Sequence, residues 1–326
     1  METNRLVKFV LKNSTAVLFV LIFIMFGLIA PRFFTAKNFQ NIMSNASYIG
    51  IIAVGMTFVL LTGGIDLSVG STMYLSAVVC GKLINEAGLP VFPAVMVSLL
   101  VGLMVGAVNA FAITRLRLVP FITTLITQTI ARGFGLFITR SVAVNYPDSV
   151  TLMSTSKVLG FIPLQIFIFL MVVLLASIVL NRTRYGRQLY AVGNDLESAK
   201  KAGIKSDRLI ASTYMISGLL AALGGFVTIT QIGRVNAGFG SGDEFDAIAA
   251  AVLGGASLFG GIGTVFPGTV LGTVMIEMIQ AGLVFANIDI YIQPIIMAAI
   301  IFSAVFIDSV RTTQIKKLER RNILKV

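Results

Sequence analysis

Apolar and polar stretches alternate along this chain on the scale of a lipid bilayer. Ten apolar segments can be marked: Thr15 to Ala30, Tyr48 to Leu61, Ser68 to Ile84, Val91 to Ile113, Val119 to Ile138, Phe161 to Leu180, Leu209 to Ile232, Phe245 to Gly260, Thr264 to Ala286 and Asp289 to Val310. A straight helical crossing takes about 20 residues, so the second, third and eighth segments are expected to be tilted, broken or partly enclosed by protein. The pattern predicts an all-α, polytopic membrane protein with about ten transmembrane segments, organised as one domain over residues 1–326. Pro31 follows the first segment directly and no small-residue cleavage pattern precedes it, so that segment is expected to be a retained span. Ahead of it, within residues 1–14, Arg5, Lys8 and Lys12 alternate with apolar residues, either as a short basic helix at the lipid headgroups or as a positive flank.

The longest charge-rich interval between two apolar segments is Asn181 to Arg208, NRTRYGRQLYAVGNDLESAKKAGIKSDR. Asn194 lies three residues before Glu197, the spacing of a capping box, so a helix is predicted to start there. Gly203 is placed to close it in the left-handed conformation, and Lys200 and Lys201 sit in its last turn, where the helix dipole favours cations. A helix of about two turns does not hold its shape alone in water, so it needs a surface to lie on.

Composition agrees with the pattern and excludes other classes. The chain is 56% hydrophobic and 12% charged, with mean hydropathy +0.94, whereas a soluble domain carries roughly a quarter charged residues. Cys80 is the single cysteine and histidine is absent. A disulfide framework and a thiolate metal cluster are therefore excluded, and the commonest general base and metal ligand is missing. No catalytic residue and no metal site is expected.

The net charge of +11 is explained by topology. With a cytoplasmic N-terminus and ten spans, the inner side holds 18 of the 25 Lys and Arg residues: three before the first span, two at Arg115 and Arg117, seven in 181–208 and six after Asp308. Six lie outside and Arg132 falls within the membrane. This is the positive-inside bias; both termini, including the basic tail 311–326, are expected in the cytoplasm, and a nucleic-acid partner is not needed.

Two glycine-rich stretches, Gly63 to Ser71 and Gly254 to Gly261, both read G-G-x-x-L-x-x-G after an apolar helix. Chance duplication in a glycine-rich chain is the simpler account of the match. Close helix packing is the simpler account of the second stretch. In the first, Asp66 favours function, because a carboxylate beside membrane is costly. Arg132 and Glu277 are the deepest charges, and an ion pair between them would either fix helix packing or line a polar path. Asn45, Thr57, Asn109, Gln128 and Gln280 add uncharged hydrogen-bonding groups that together suit a neutral, hydroxyl-rich solute better than an ion. There is no G-x-x-x-x-G-K-[ST] phosphate loop and no cluster of intramembrane carboxylates suited to ion coupling. Energy is then expected to reach the chain from outside, through the helix in 181–208.

The segment from Glu197 through Ala199 to Gly203 resembles the E-A-A-x-x-x-G loop of ABC importer permeases, with Ser198 in place of the second residue's alanine. GGIDLSVGS (63–71), YGRQLYAVGNDLESAKKAGI (185–204) and FDAIAAAVLGGASLFGGIG (245–263) are similar to stretches of the ribose-type sugar permeases, a family that shares the branched-chain amino acid permease architecture. The resemblance covers about Phe33 to Asp308. It implies a type II-importer-like permease in a bacterial cytoplasmic membrane, paired with a second permease copy or sister. It further implies cytoplasmic ATPase subunits that bind the ATP and Mg, leaving this chain without a cofactor, and an external solute-binding protein that delivers a small neutral sugar. By position, Asn194, Glu197, Ala199 and Gly203 would belong to the coupling helix, Asp66 and Ser68 to the glycine-rich turn, and Asp246 to the outer start of the eighth helix. A carboxylate matched to a helix N-terminus explains Asp246 equally well. The rival readings are an ion-coupled secondary sugar carrier, a permease for branched-chain amino acids or another small polar solute, and a receptor or scaffold.

Overall fold

The computed structural model describes residues 14–29, 33, 35–300, 302, 303 and 306. The expected basic N-terminal segment with Arg5, Lys8 and Lys12, and the tail 311–326, lie outside these residues.

Helices dominate the order: α1 (Ser14–Ile29), α2 (Ala36–Leu61), α3 (Val69–Asn85), α4 (Val91–Thr114), α5 (Pro120–Thr139), α6 (Asp148–Thr151), α7 (Leu164–Arg182), α8 (Arg184–Asn194), α9 (Leu196–Lys201), α10 (Ser206–Ile232), α11 (Asp243–Leu253) and α12 (Val270–Phe285). Residues 293–300 are again helical. The only strands among the described residues are two-residue pieces, of which Val144–Asn145 pairs antiparallel with Arg234–Val235, and Lys157–Val158 with Ile162–Pro163.

Six helices are long and apolar enough to cross a membrane: α2, α4, α5, α7, α10 and the stretch Val265–Phe285 that ends in α12. Each of the ten expected segments meets a helix, but four of these are short or only partly described. The second segment is corrected outright. It begins at Ala36, not Tyr48, and is 26 residues long, because Thr35 caps it by accepting from Asn38 N. Its polar first turns had masked it. The third and eighth are short as expected: α3 has 17 residues and α11 only 11, and both bury most of their length in protein. The eighth stops at Leu253 rather than Gly260, at the paired glycines.

Helices α2 and α10 form the centre, and α10 runs along both α4 and α2. Glycine makes the first of these contacts possible: a Cβ on Gly102 would strike the Gly218 carbonyl, and one on Gly218 the Gly102 carbonyl. The opposite face of α4 carries Phe92, Met96, Leu100, Met104 and Val108 in the open, one stripe at i, i+4 spacing. An apolar stripe facing away from protein is what a lipid-facing helix presents.

The turns sort to two ends. At one end, Gly261 N donates to Leu61 O (3.0 Å), Tyr190 Oη to Gly263 O (2.8 Å) and Arg117 to Asp207 (2.8 and 2.9 Å). At the other, Asn85 Nδ2 donates to Asn145 O (2.7 Å) and Tyr146 N to Gly233 O (2.9 Å). The first end carries Arg115, Arg117, Arg182, Arg184, Arg187, Lys200, Lys201, Lys205 and Arg208, while the second carries only Lys37, Lys82, Arg140, Lys157 and Arg234 among the described residues.

Candidate functional site

At the basic end, the 181–208 interval folds as two helices, one of which the sequence reading missed. Tyr185, Leu189 and Val192 recur at i, i+4 and i+7, and α8 buries Leu189 and Val192 on that side. Thr183 caps α8 by accepting from Gly186 N (3.3 Å). The helix lies so close to the end of α2 that a Cβ on Gly193 would run into the Leu61 carbonyl.

The cap of the second helix is Asp195, not Asn194. Asn194 ends α8. Asp195 Oδ1 accepts from Glu197 N (3.0 Å) and Ser198 N (3.2 Å), and its Oδ2 from Ser198 Oγ (2.7 Å). Those bonds from Ser198 hold the Asp195 carboxyl below its ordinary range. An ionised carboxylate satisfies two orphan amides at once, so it displaces the expected capping box. Glu197, freed from that role, accepts from Lys200 Nζ at 3.3 Å. Gly203 closes the turn at φ 78°, as its position predicted.

Within α9, Ala199 is buried in a cluster with Leu189, Val192 and Leu209, so it anchors the helix to its own chain. Leu196, Glu197, Ser198 and Lys200 form the exposed side, with Leu196 an apolar residue in the open.

The two glycine-rich stretches meet at this end. A Cβ on Gly260 would stand 3.0 Å from Gly63 N, so backbone packs on backbone where the two turns touch. Asp66 faces inward. Its Oδ1 accepts from Ser68 N (3.0 Å) and Ser68 Oγ (2.6 Å), and its Oδ2 from Ser217 Oγ (2.8 Å). Asn109 Nδ2 donates in turn to Ser68 Oγ (2.9 Å). Asp66, Ser68 and Asn109 thus form one buried knot that ties the first glycine turn to α4 and α10. Thr57 is likewise internal, sharing a 2.7 Å hydrogen bond with Thr269.

Arg132 and Glu277 do not pair. Arg132 Nε donates to Ser71 Oγ (3.2 Å) and Nη1 to the carbonyls of Ala237 (3.0 Å) and Phe239 (2.8 Å), with its guanidinium 5.0 Å from the Tyr74 ring centroid. Backbone carbonyls of a loop, rather than the Glu277 carboxyl that could have paired with it, accept from the Arg132 guanidinium. Gln128, one helical turn away, donates to Glu244 Oε1 (2.8 Å). Glu277 opens instead on a cleft of about 830 Å³ between α2, α11, α12 and residues 290–298. Asn45, Asp246 and Gln280 line the same cleft, and Gln280 Nε2 donates to Asp246 Oδ2 at 3.2 Å. The expected residues therefore divide among a cleft, a buried knot, an arginine-held loop and an interhelical hydrogen bond.

The cleft also takes Asn38, Asn41 and Gln293, which the sequence reading passed over. Asn38, Asn41 and Asn45 stand at i, i+3 and i+7 on α2, a helical polar face that was legible but lay ahead of the apolar run. Among the described residues, none of the cleft's lining residues is basic.

Known proteins bear on these features. Residues 38–307 match the family described as branched-chain amino acid transport system / permease component. The ribose import permease protein RbsC of Haemophilus influenzae is 34% identical over 307 residues, 93% of this chain and 94% of that one. The Escherichia coli K12 protein of the same name is 35% identical over 303 residues, 91% and 93% of the two chains. An autoinducer 2 import system permease protein, LsrC of Photorhabdus luminescens, is 31% identical over 325 residues, 98% and 97%. No solved structure matches. With a family match over most of its length and six helices fit to cross a bilayer, the chain belongs to the branched-chain amino acid transport system / permease component family and is a multi-pass membrane protein.

Proposed function

We propose that this chain is the permease subunit of an ATP-driven importer that carries a monosaccharide, ribose-like in size and polarity, across the bacterial cytoplasmic membrane by alternating access. The observation that carries the reading is α9: a six-residue helix anchored by Ala199 at the basic end, with Leu196, Glu197 and Lys200 turned outward. A short capped helix presenting an apolar residue at a turn end is a docking element for a partner. Its position beside α8, which touches the end of α2, gives movement of that partner a mechanical route to the central helices.

In this reading the basic end is cytoplasmic, following the positive-inside rule, and both termini lie on that side of a ten-segment, type II-like permease. Cytoplasmic ATPase subunits dock on α9 and hold the ATP and Mg, so this chain needs no cofactor. A second permease, identical or a sister, completes the pathway, and an external solute-binding protein delivers the sugar. The relatives named for ribose import support a sugar cargo. Those named for autoinducer 2 import keep other small polar solutes in play.

The test is uptake by proteoliposomes holding the chain with its ATPase, supplied with the binding protein and a panel of aldoses. Uptake that requires internal ATP is the expected result. Uptake by the chain alone, driven by an ion gradient, would make it a secondary carrier.

A further inference from the structure

Glu277 is 3% exposed, yet its Oε1 has no hydrogen-bond partner. A buried carboxyl oxygen left unpaired is costly, and the Glu277 side chain lines the cleft between α2, α11 and α12. The groups around it are polar but lack a positive charge among the described residues. Asp246 keeps one oxygen beyond its bond from Gln280, while Asn41 and Asn45 are exposed on the facing side of α2. Ile42, Leu283 and Met297 supply apolar wall between the polar groups.

We propose that this cleft is a binding site within the permease for a neutral polyhydroxylated solute, an aldose, whose hydroxyls donate to Glu277 and Asp246 and exchange hydrogen bonds with Asn41 and Asn45. The proposal rests on the importer reading and adds to it where the cargo is held. Carboxyl groups offer acceptor oxygens, and amides both donate and accept; a ring of hydroxyls meets both needs, and its C–H faces suit the apolar wall. An anionic solute is repelled. A zwitterionic amino acid finds no cation for its carboxylate among the described residues of the lining. A metal ion is disfavoured too, since no group of three or more His, Cys, Asp or Glu among the described residues is arranged to hold one. Cation-driven occupancy by an amine is the sharpest competitor, because two carboxylates attract it as well.

Two measurements on the full complex test the site. In the first, Asn45→Cys is labelled with a maleimide in the presence of D-ribose, D-xylose, D-galactose, leucine or cadaverine. Cys80, the native thiol, is buried and gives little background. Labelling of Asn45→Cys should slow with at least one aldose and not with leucine or cadaverine, while labelling of Leu159→Cys, exposed and outside the cleft lining, stays unchanged. In the second, Glu277→Gln should raise the KM for the transported aldose about tenfold, the loss expected for one hydrogen bond to a buried polar group, with Vmax and the thermal midpoint much less affected. Should wild-type complex take up an aldose while no aldose protects Asn45→Cys and Glu277→Gln keeps its KM, the cleft assignment is wrong and the importer reading stands. Protection by cadaverine or leucine instead overturns the polyol assignment. Absence of ATP-dependent uptake of any aldose by the wild type removes the importer reading, and the cleft proposal with it.

Discussion

At the scale of single residues, the buried carboxylate of Asp66 is held by short, specific bonds. Ser217 is the far anchor of Asp66, and Ser217→Ala would leave the buried Asp66 Oδ2 without its hydrogen-bond donor. A loss of about 1–3 kcal/mol is expected, read as a lower melting temperature of the detergent-purified protein; an unchanged melt would mean that the knot is not structural. Asp195 makes a prediction in pH. Its carboxyl is lowered in the folded state, so the cap's contribution is complete above the ordinary Asp pKa of about 3.9 and disappears as pH falls through the lowered folded value. Amide exchange at Glu197 and Ser198, corrected for intrinsic rate, should therefore be level from neutral pH down to mild acid and accelerate only below it. Acceleration already near pH 6 would point to another titrating group.

On the scale of elements, the sequence reading found what bilayer-length apolarity marks and missed what it does not. Apart from α2, the long helices lie within a few residues of their expected bounds because a membrane-length apolar run has sharp polar ends. The front of α2 escaped because Asn38, Asn41 and Asn45 face a cleft rather than lipid, so the part of the helix that lines the cleft is the part too polar to read as a span. Asn194 and Asp195 are adjacent residues, each able to cap. Only the three-dimensional run of α8 up to Asn194 decides between them. Depth within an apolar segment, which left a pair between Arg132 and Glu277 open, carries no information on which helix face meets which. The α8–α9 unit yields a contrast between its two sides. Ala199→Glu buries a charge among Leu189, Val192 and Leu209 and should dislodge α9, lowering both the melting temperature and uptake. Leu196→Asp changes an exposed residue and should lower uptake several-fold while the isolated permease melts as before. Equal melting losses from both changes would show that α9 has no free docking side.

For the whole molecule, the arrangement is one of opposed ends. The basic end gathers α8, α9 and the two glycine turns on the tips of the central helices, and the cleft with Glu277 and Asp246 lies at the starts of α2 and α11, toward the other end. The proposed importer would use such a separation, with force entering at one end, cargo admitted at the other, and α2 reaching from the cleft to the α8 contact. The most direct measurement is thiol chemistry at Leu196→Cys, with Cys80 buried as the only native cysteine. In intact cells this thiol should resist a membrane-impermeant maleimide, and in membranes containing the complex a bifunctional thiol reagent should join it to the ATPase subunit and stop uptake. Labelling of Leu196→Cys from the outside of intact cells, or failure to cross-link to the ATPase in a complex that transports, would contradict docking of a cytoplasmic motor on this helix.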